Sequence, residues 1–188
     1  MRIISGSYKG KKILEPKDKK TRPLKDITKE SIFNIIMHSN KFKINFVNSY
    51  ILDLFSGVGS FGIECLSRGA KKVIFIENYS GVLPVLKKNI SSLSKIKNYE
   101  IIEKDIYNEN VFLKLDNQFD IIFLDPPYKD KNLENLLNEI KDQKILNKNG
   151  IIILHRHKNE KDSLQPSFQI IEQKVYGISK IIFLSYLN

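Results

Sequence analysis

The sequence YILDLFSGVGSFGIECLSRGAKKVIFIE, residues 50–77, determines the predicted fold of the chain. It begins with a short apolar run, passes through a glycine-rich turn, continues with apolar residues at helical spacing and ends in a second apolar run. These parts predict a buried strand, a sharp turn, a helix that ends near Ser67 and a second buried strand. Short apolar strands separated by helices are typical of a parallel sheet with both faces covered.

The same alternation continues on both sides of this stretch. Apolar residues between positions 27 and 37 predict a helix that links the N-terminal segment to the core. The pattern predicts strands at residues 51–55, 73–76, 99–103, 120–124 and 151–154, helices at residues 82–93, 111–115 and 133–140, and a closing hairpin at residues 168–175 and 178–186. The predicted fold is α/β and Rossmann-like, a mostly parallel seven-stranded sheet with an antiparallel C-terminal hairpin and a small basic N-terminal extension.

Composition limits the class of protein. The chain has 188 residues, 41% hydrophobic and 28% charged, which suits one well-buried domain and is too apolar for a disordered protein. A single cysteine, Cys65, rules out an internal disulfide, and the three histidines give no zinc-binding spacing with it. Apolar runs are far shorter than a membrane span, and the N-terminus lacks the core of a signal peptide. We therefore predict a cytoplasmic protein without a metal site.

The positive charge lies mainly near the N-terminus. The formal net charge is +10, and the first 30 residues contain ten basic and four acidic side chains. An ordinary solvated lysine-rich surface and a patch that binds a polyanion are both open interpretations. Residues 5–10, SGSYKG, favour the patch, because small residues permit close approach to phosphates and the tyrosine can stack on a base. We predict a basic arm over residues 1–25 and a globular domain over residues 26–188.

The turn after the first predicted strand has the spacing of a nucleotide-binding site. Gly57, Gly59 and Gly62 satisfy the pattern G-x-G-x-x-G, and Glu77 follows the second predicted strand. The glycines would let the backbone approach a ligand, and the acid can accept hydrogen bonds from ribose hydroxyls. A turn that serves only strand-to-helix packing is the alternative. Asp53 would not assist an anionic pyrophosphate but would favour a cofactor with a cationic centre and a free amino group.

The fourth predicted strand ends in Asp125-Pro126-Pro127-Tyr128, the most specific motif in the chain. Consecutive prolines fix the backbone and remove two N–H donors, so we expect their carbonyls to face outward as acceptors. Asp125 adds another acceptor, and Tyr128 offers a flat face for a base. Acceptors that bind both hydrogens of an exocyclic amine stabilise the positive charge that develops on its nitrogen. A Pro-Pro turn that Asp125 merely caps is the alternative, and whether Asp125 also takes the proton stays open.

The two motifs resemble those of known methyltransferases. Asp53, Phe55, Gly57 and Gly59 are similar to motif I of class I methyltransferases that use S-adenosylmethionine. Residues 125–128 are similar to the D/N-P-P-Y/F/W motif of amino-methyltransferases. A resemblance to one family, the bacterial RsmD family, extends over nearly the whole chain. It rests on residues 2–6, 10–14, 21–23, 30–34 and 52–70, and on Tyr176, Gly177 and Lys180.

The resemblance implies an enzyme that uses S-adenosyl-L-methionine to methylate a guanine N2 in 16S rRNA of the small ribosomal subunit. In it, Glu77 would hold the ribose, and Asn78 and Asp105 would address the adenine, although a local cap is the alternative for Asp105. The residues implied for the cofactor are Asp53, Phe55, Ser56, Gly57, Gly59, Glu77, Asn78, Asp105 and Ile106. Those implied for the reaction are Asp125, Pro126, Pro127 and Tyr128, and those for RNA are Arg2, Lys9, Lys11, Lys12 and Arg22. We expect a monomer that binds 16S rRNA in the small subunit through the arm, and we expect no DNA ligand.

The chain departs from the family pattern after the fifth predicted strand. Members of the family usually carry an acid there, where this chain has Leu154-His155-Arg156-His157. Because the predicted strand ends at residue 154, we expect His155 and His157 to be exposed rather than catalytic. Ser5, Ser56 and Lys25 are further departures.

Other functions fit parts of the sequence. An adenine-N6 or cytosine-N4 amino-methyltransferase shares residues 125–128, but a DNA enzyme of this type carries a target-recognition insertion for which the chain has no room. An NAD-dependent oxidoreductase explains the glycines and gives residues 125–128 no role. A ribosome-assembly protein that binds RNA without catalysis explains the basic arm but not the intact motifs.

Overall fold

The computed structural model describes residues 1–16, 18, 24–108, 110–127, 130–161 and 164–187. The helices are α1 (Asp26–His38), α2 (Ser60–Ser67), α3 (Leu83–Ser91) and α4 (Leu133–Asp142), and a 3-10 turn spans Val111–Lys114. The strands are β1 (Tyr50–Leu54), β2 (Lys72–Ile76), β3 (Tyr99–Ile102), β4 (Phe119–Leu124), β5 (Leu146–His157), β6 (Phe168–Tyr176) and β7 (Ser179–Tyr186). No helix within these residues is long and apolar enough to cross a bilayer.

The strands form one seven-stranded sheet with the order β3-β2-β1-β4-β5-β7-β6. β1 to β5 run parallel to one another, and β7 runs antiparallel to both β5 and β6. This arrangement confirms the predicted mostly parallel sheet and its closing hairpin. The strand order reverses between β1 and β4. Ligands of doubly wound sheets bind at the carboxyl ends of the strands beside such a reversal.

Apolar side chains cover both faces of the sheet, because successive residues of a strand point to opposite sides. In β1, Ile51 packs on the face that α1, α2 and α3 cover, and Leu52 packs on the face that α4 and the 3-10 turn cover. Both side chains are completely buried. A central strand that supplies two core layers is mostly apolar, and this accounts for the short apolar runs in the sequence; Asp53 is the buried exception in β1.

The basic N-terminal segment, residues 1–16, packs against α2. Ile3 is 1% exposed and belongs to the core. The Glu64 carboxylate, completely buried in α2, accepts the backbone N–H groups of Ile4 at 2.7 Å and Ser5 at 2.9 Å. The Arg68 guanidinium lies 2.9 Å from the same carboxylate. A buried charge that is paired and hydrogen-bonded in this way holds its partners in place, because losing one of them leaves the charge uncompensated.

Gly6 permits the closest contact between this segment and α2. Its φ is +81°, and a Cβ there would lie 1.9 Å from the carbonyl oxygen of Ser67, at the end of α2. The Ser7 N–H donates to the same carbonyl at 2.8 Å, and the Tyr8 N–H donates to Ser67 Oγ at 3.0 Å. Only glycine combines the positive φ with the absence of a side chain that this approach requires.

β5 extends three residues beyond its predicted end at residue 154 and includes His155, Arg156 and His157. It continues because β7 pairs with it there, with His155 opposite Ile181. The expectation that His155 is exposed is wrong, since it is 6% exposed, and Arg156 is 2% exposed. His157 is half-buried. The apolar residues 151–154 predict too short a strand, because the local sequence does not show that β7 pairs with the residues that follow.

Candidate active site

The turn between β1 and α2 has an uncommon backbone conformation. Phe55, Gly57 and Gly59 have φ values of 59°, 54° and 81°, all in the left-handed region. This conformation is rare for a bulky side chain such as that of Phe55, and backbone strain of this kind is concentrated at functional sites. Ser56 stabilises the turn, since its buried hydroxyl donates to the carbonyl oxygen of Asp53 at 2.6 Å.

Part of the glycine pattern serves packing. A Cβ at Gly62 would lie 2.3 Å from the ring of Phe75 and 2.9 Å from Asp53 Oδ2. A Cβ at Gly59 would lie 2.5 Å from Leu86 Cδ1. The packing alternative therefore explains Gly62, whereas Gly57 and Gly59 also adopt the positive φ that the turn requires.

Asp53 is a buried carboxylate in anionic surroundings. It is 1% exposed, and its Oδ2 accepts the backbone N–H of Gly62 at 2.9 Å. Burial raises the pKa of Asp53 well above its usual value; the Gly62 hydrogen bond lowers the pKa, and the charges of Asp125 and Glu77 raise it further. A cation bound beside Asp53 would offset both the burial and the repulsion.

Glu77 is held by backbone donors at the end of β2. Its Oε2 accepts the Gly57 N–H at 2.7 Å, and its Oε1 accepts the N–H groups of Asn78 at 3.0 Å and Tyr79 at 2.8 Å. A carboxylate offers about four acceptor positions, so capacity remains for a further donor. The contact with Gly57 joins the end of β2 to the turn after β1.

A cavity of about 150 Å³ lies at the carboxyl ends of β1, β2 and β3. Its walls combine apolar and aromatic groups with a few polar side chains, which suits a flat heterocycle with hydrogen-bonding edges. The residues that line it are Phe55, Ile76, Glu77, Asn78, Lys104, Asp105, Ile106, Tyr107, Pro127 and Asp130. The structure therefore brings Phe55, Glu77, Asn78, Asp105 and Ile106, all predicted to bind the cofactor, to one cavity.

Asp105 also caps the turn after β3. Its Oδ1 accepts the Tyr107 N–H at 2.9 Å, and its Oδ2 accepts the side-chain amide of Asn108 at 2.9 Å. The local cap that was the alternative for Asp105 is therefore present, and the residue lines the cavity as well.

Asp125 lies at the end of β4, beside β1. Its backbone N–H donates to the carbonyl oxygen of Leu54 at 3.4 Å. Its Oδ1 lies 2.8 Å from His155 Nδ1, and the other ring nitrogen, Nε2, lies 2.9 Å from Ser179 Oγ. The predicted strand ended one residue before His155, so this contact was not predicted. A pattern that could have revealed it is the alternation Ile151, Ile153, His155 on one face of an extended strand.

Arg156 holds the chain after the two prolines. Its Nη1 donates to the carbonyl oxygen of Pro127 at 3.1 Å, and its Nη2 donates to the carbonyl oxygen of Asp130 at 3.3 Å. The Asp130 N–H also donates to the Pro127 carbonyl, at 2.9 Å. The expectation that both proline carbonyls face outward is therefore wrong for Pro127. The carbonyl of Pro126 receives no hydrogen bond from the described residues.

Asp130 connects this loop to the cavity. The Tyr107 hydroxyl donates to Asp130 Oδ2 at 2.6 Å. Burial and this carboxylate raise the pKa of the Tyr107 hydroxyl, which keeps it protonated as a donor. The wall of the cavity and the loop that follows Pro127 are thus joined by a hydrogen bond.

The residues predicted to contact RNA differ in their surroundings. Arg2, Lys9 and Lys12 are exposed. Lys11 is half-buried, its Nζ donates to the carbonyl oxygen of Ser92, and it lies 5.8 Å from the centre of the Tyr8 ring. Arg22 and Tyr128 lie outside the described residues. In the described ranges, no group of three His, Cys, Asp or Glu side chains is arranged to hold a metal ion.

Sequence comparisons match nearly the whole chain. The model of a family described as "Conserved hypothetical protein 95" matches residues 1–185. "Ribosomal RNA small subunit methyltransferase D" of Haemophilus influenzae is 33% identical over 182 residues, which cover 95% of this chain and 90% of that protein. The protein of the same name in Escherichia coli K12 is 29% identical over 179 residues, 94% of this chain and 85% of that protein.

A solved structure has the same fold over the whole length. It is described as "Putative methyltransferase yhhF from Escherichia coli", and it superposes with a TM-score of 0.78 at 27% sequence identity. The match covers 99% of this chain and 97% of that one. The similarity therefore includes the N-terminal segment and the closing hairpin.

Proposed function

This chain belongs to the family described as "Conserved hypothetical protein 95", the RsmD family, and from this membership we propose that it methylates the exocyclic N2 of a guanine in 16S rRNA of the small ribosomal subunit. The coarser function follows from its relatives: the chain is an rRNA methyltransferase that uses S-adenosylmethionine. The observation that carries methyl transfer to an exocyclic amine is the position of the Asp53 and Asp125 carboxylates at the ends of the neighbouring strands β1 and β4. The choice of guanine N2 in 16S rRNA rests on the family membership.

The cofactor site fits S-adenosylmethionine. This cofactor supplies a methyl group that is activated by a positively charged sulfur. Asp53, buried among negative charges, would accept hydrogen bonds from the amino group and gain from the positive charge. Glu77 would hold the ribose, and the cavity beside Asn78 and Ile106 would take the adenine.

The target site fits an exocyclic amine. Asp125 Oδ1 is engaged by His155, and Oδ2 has no donor among the described residues. We assign Oδ2 and the Pro126 carbonyl as the acceptors of the two amine hydrogens. Their attraction grows as the nitrogen becomes pyramidal and positive during transfer, so they lower the barrier more than they strengthen binding. Tyr128 would stack on the flipped base.

The N-terminal segment fits a phosphate backbone. Arg2, Lys9 and Lys12 project from a segment that hydrogen bonds fix to α2. Phosphate contacts of this kind position a protein on its nucleic acid, and the base pocket supplies specificity. We propose that residues 1–25, including Lys11 and Arg22, bind the RNA and that residues 26–188 hold the cofactor and the base, in a cytoplasmic monomer.

The assay that tests the proposal identifies the modified nucleoside. The protein is incubated with labelled S-adenosylmethionine and small subunits, free 16S rRNA or DNA, and the nucleic acid is digested. We expect label in N2-methylguanosine from 16S rRNA. Label in N6-methyladenosine or N4-methylcytidine, or no transfer to any substrate, would contradict the proposal.

We expect Asp125→Ala to abolish transfer and leave cofactor binding nearly intact. Loss of a preorganised acceptor costs roughly 100-fold or more in kcat. Single-turnover transfer and the Kd for S-adenosylmethionine measure the two effects separately. An equal loss of both would show that Asp125 acts in cofactor binding instead. Asp116→Asn, on an exposed loop, is the control.

A further inference from the structure

His155 is connected through both of its ring nitrogens. Nδ1 lies 2.8 Å from Asp125 Oδ1, and Nε2 lies 2.9 Å from Ser179 Oγ. The ring is held between the end of β4 and the start of β7, and the His155 side chain is 7% exposed. No other described side chain donates to the Asp125 carboxylate, so its orientation depends on this imidazole.

The partners of the ring define its hydrogen-bond directions. An ionised carboxylate is acceptor-only, so Nδ1 carries the hydrogen and donates to Asp125. The Ser179 hydroxyl both donates and accepts, so it can donate to Nε2 of the neutral ring. The tautomer that aims a hydrogen at Asp125 is therefore stabilised from the opposite side of the ring, which is how a neighbouring hydrogen bond selects the role of a histidine.

This arrangement determines which oxygen of Asp125 faces the target. A carboxylate without a fixed partner rotates and presents either oxygen. With Oδ1 engaged by His155, Oδ2 is the oxygen left for a ligand hydrogen bond, and its direction is set by the ring. An error of about 1 Å in such a position can cost roughly 100-fold in rate.

We propose that His155 is a positioning residue, which donates from Nδ1 to Asp125 Oδ1 and thereby fixes Oδ2 as the acceptor for the amine of the target base. This inference rests on the proposed function of Asp125. Ser179 supports the same arrangement by holding Nε2.

Two amide variants of nearly equal polarity test the assignment. The amide nitrogen of His155→Asn takes the place of Nδ1 and can still donate to Asp125. The amide nitrogen of His155→Gln reaches the place of Nε2, toward Ser179, and leaves Asp125 without its donor. Glutamine is closer to histidine in volume. If His155 serves packing alone, His155→Gln should therefore have the higher kcat; if it positions Asp125, His155→Asn should have the higher kcat.

The measured quantities are kcat, KM for the RNA, Kd for S-adenosylmethionine and Tm. We expect His155→Gln to lose roughly 10-fold to 100-fold in kcat, with KM and Kd nearly unchanged. We expect His155→Asn to recover most of the kcat, even where its Tm is the lower of the two. His157→Asn, on the same strand and half-buried, is the control, and its kcat should equal that of the protein without substitutions.

The outcomes separate this inference from the proposed function. If the protein without substitutions transfers no methyl group, the proposed function itself is contradicted. An active protein whose Asn and Gln variants have equal kcat, or whose Gln variant is the more active, contradicts the role of His155. Should either variant fail to fold, Ser179→Ala decides: loss of kcat at constant KM supports positioning, and unchanged kcat contradicts it.

Discussion

Asp53 combines deep burial with a negatively charged neighbourhood. Burial raises its pKa, and the charges of Asp125 and Glu77 add to the effect. An acidic group whose pKa is higher in the folded chain than in the unfolded chain binds its proton more tightly when folded. Protonation therefore stabilises the fold, and ionised Asp53 destabilises the cofactor-free protein near neutral pH. Under the proposed function, the positively charged cofactor would offset this cost when it binds.

We expect Asp53→Asn to raise the Tm of the cofactor-free protein near neutral pH by a few degrees and to weaken cofactor binding. The asparagine oxygen can still accept the Gly62 N–H, whereas the repulsion is removed. The gain in Tm should shrink as the pH falls, because Asp53 of the unchanged protein then becomes protonated and neutral too.

Calorimetric titration with S-adenosylmethionine and thermal unfolding over a pH series measure the two effects of Asp53→Asn. Affinity of the unchanged protein should fall as the pH is lowered through the raised pKa, and the variant should lack that dependence. A variant that is less stable at neutral pH and binds the cofactor as tightly would contradict this account.

At the scale of elements, the strands were predictable to different extents. β1, β2 and β4 are covered on both faces and are mostly apolar, so local sequence predicts them. The end of β5 is polar, and its pairing with β7 places His155 and Arg156 in the interior. Because that pairing depends on residues far along the chain, the sequence predicted Asp125 as a candidate but not the side chains that hold its loop.

We expect Arg156→Lys to loosen the loop after Pro127. A lysine cannot reproduce the two directed hydrogen bonds to Pro127 and Asp130. The KM for RNA should rise roughly 10-fold, and the Asp130 amide should exchange its hydrogen faster. Exchange measured by mass spectrometry checks the loop, with the exposed Lys158→Ala as control. A raised KM with an unchanged exchange rate of the Asp130 amide would show that Arg156 does not act through this loop.

The N-terminal segment offers a matched pair of glycines. Gly6 and Gly10 have φ values of +81° and +86°, so alanine is strained at both. A Cβ at Gly6 meets the Ser67 carbonyl at 1.9 Å, and a Cβ at Gly10 meets nothing within 4 Å. We expect Gly6→Ala to release the segment from α2 and weaken RNA binding, and Gly10→Ala to cost only about 1 kcal/mol of stability. Equal effects on RNA affinity would contradict the importance of this contact.

At the scale of the whole molecule, charge is distributed unevenly. The chain carries a net charge of +10, and its exposed basic residues include Arg2, Lys9 and Lys12 on the segment that packs against α2. The sequence predicted that the positive charge is concentrated near the N-terminus, because a count of charged residues along the chain is sufficient to locate it. It did not predict that Glu64 anchors the segment, since a glutamate within an apolar helix gives no local sign of its partners.

We expect the double variant Lys9→Ala and Lys12→Ala to weaken RNA binding and reduce its salt dependence. Each lost phosphate contact should lower the slope of log K against log salt by roughly 0.7 to 0.9. Filter binding over a salt series measures the slope, and Lys141→Ala with Lys148→Ala, also exposed, is the control. An unchanged slope would show that these lysines do not contact the RNA.

The length of α2 has a consequence for target choice. Its eight residues span about 12 Å, with the cofactor turn before Ser60 and the contacts with residues 5–8 at Ser67. Because both ends are fixed, the proposed phosphate contacts and the proposed point of methyl transfer stand at a constant separation. Under the proposed function, the target guanine would then be selected by its distance from the bound phosphates, as well as by its own hydrogen-bonding edge.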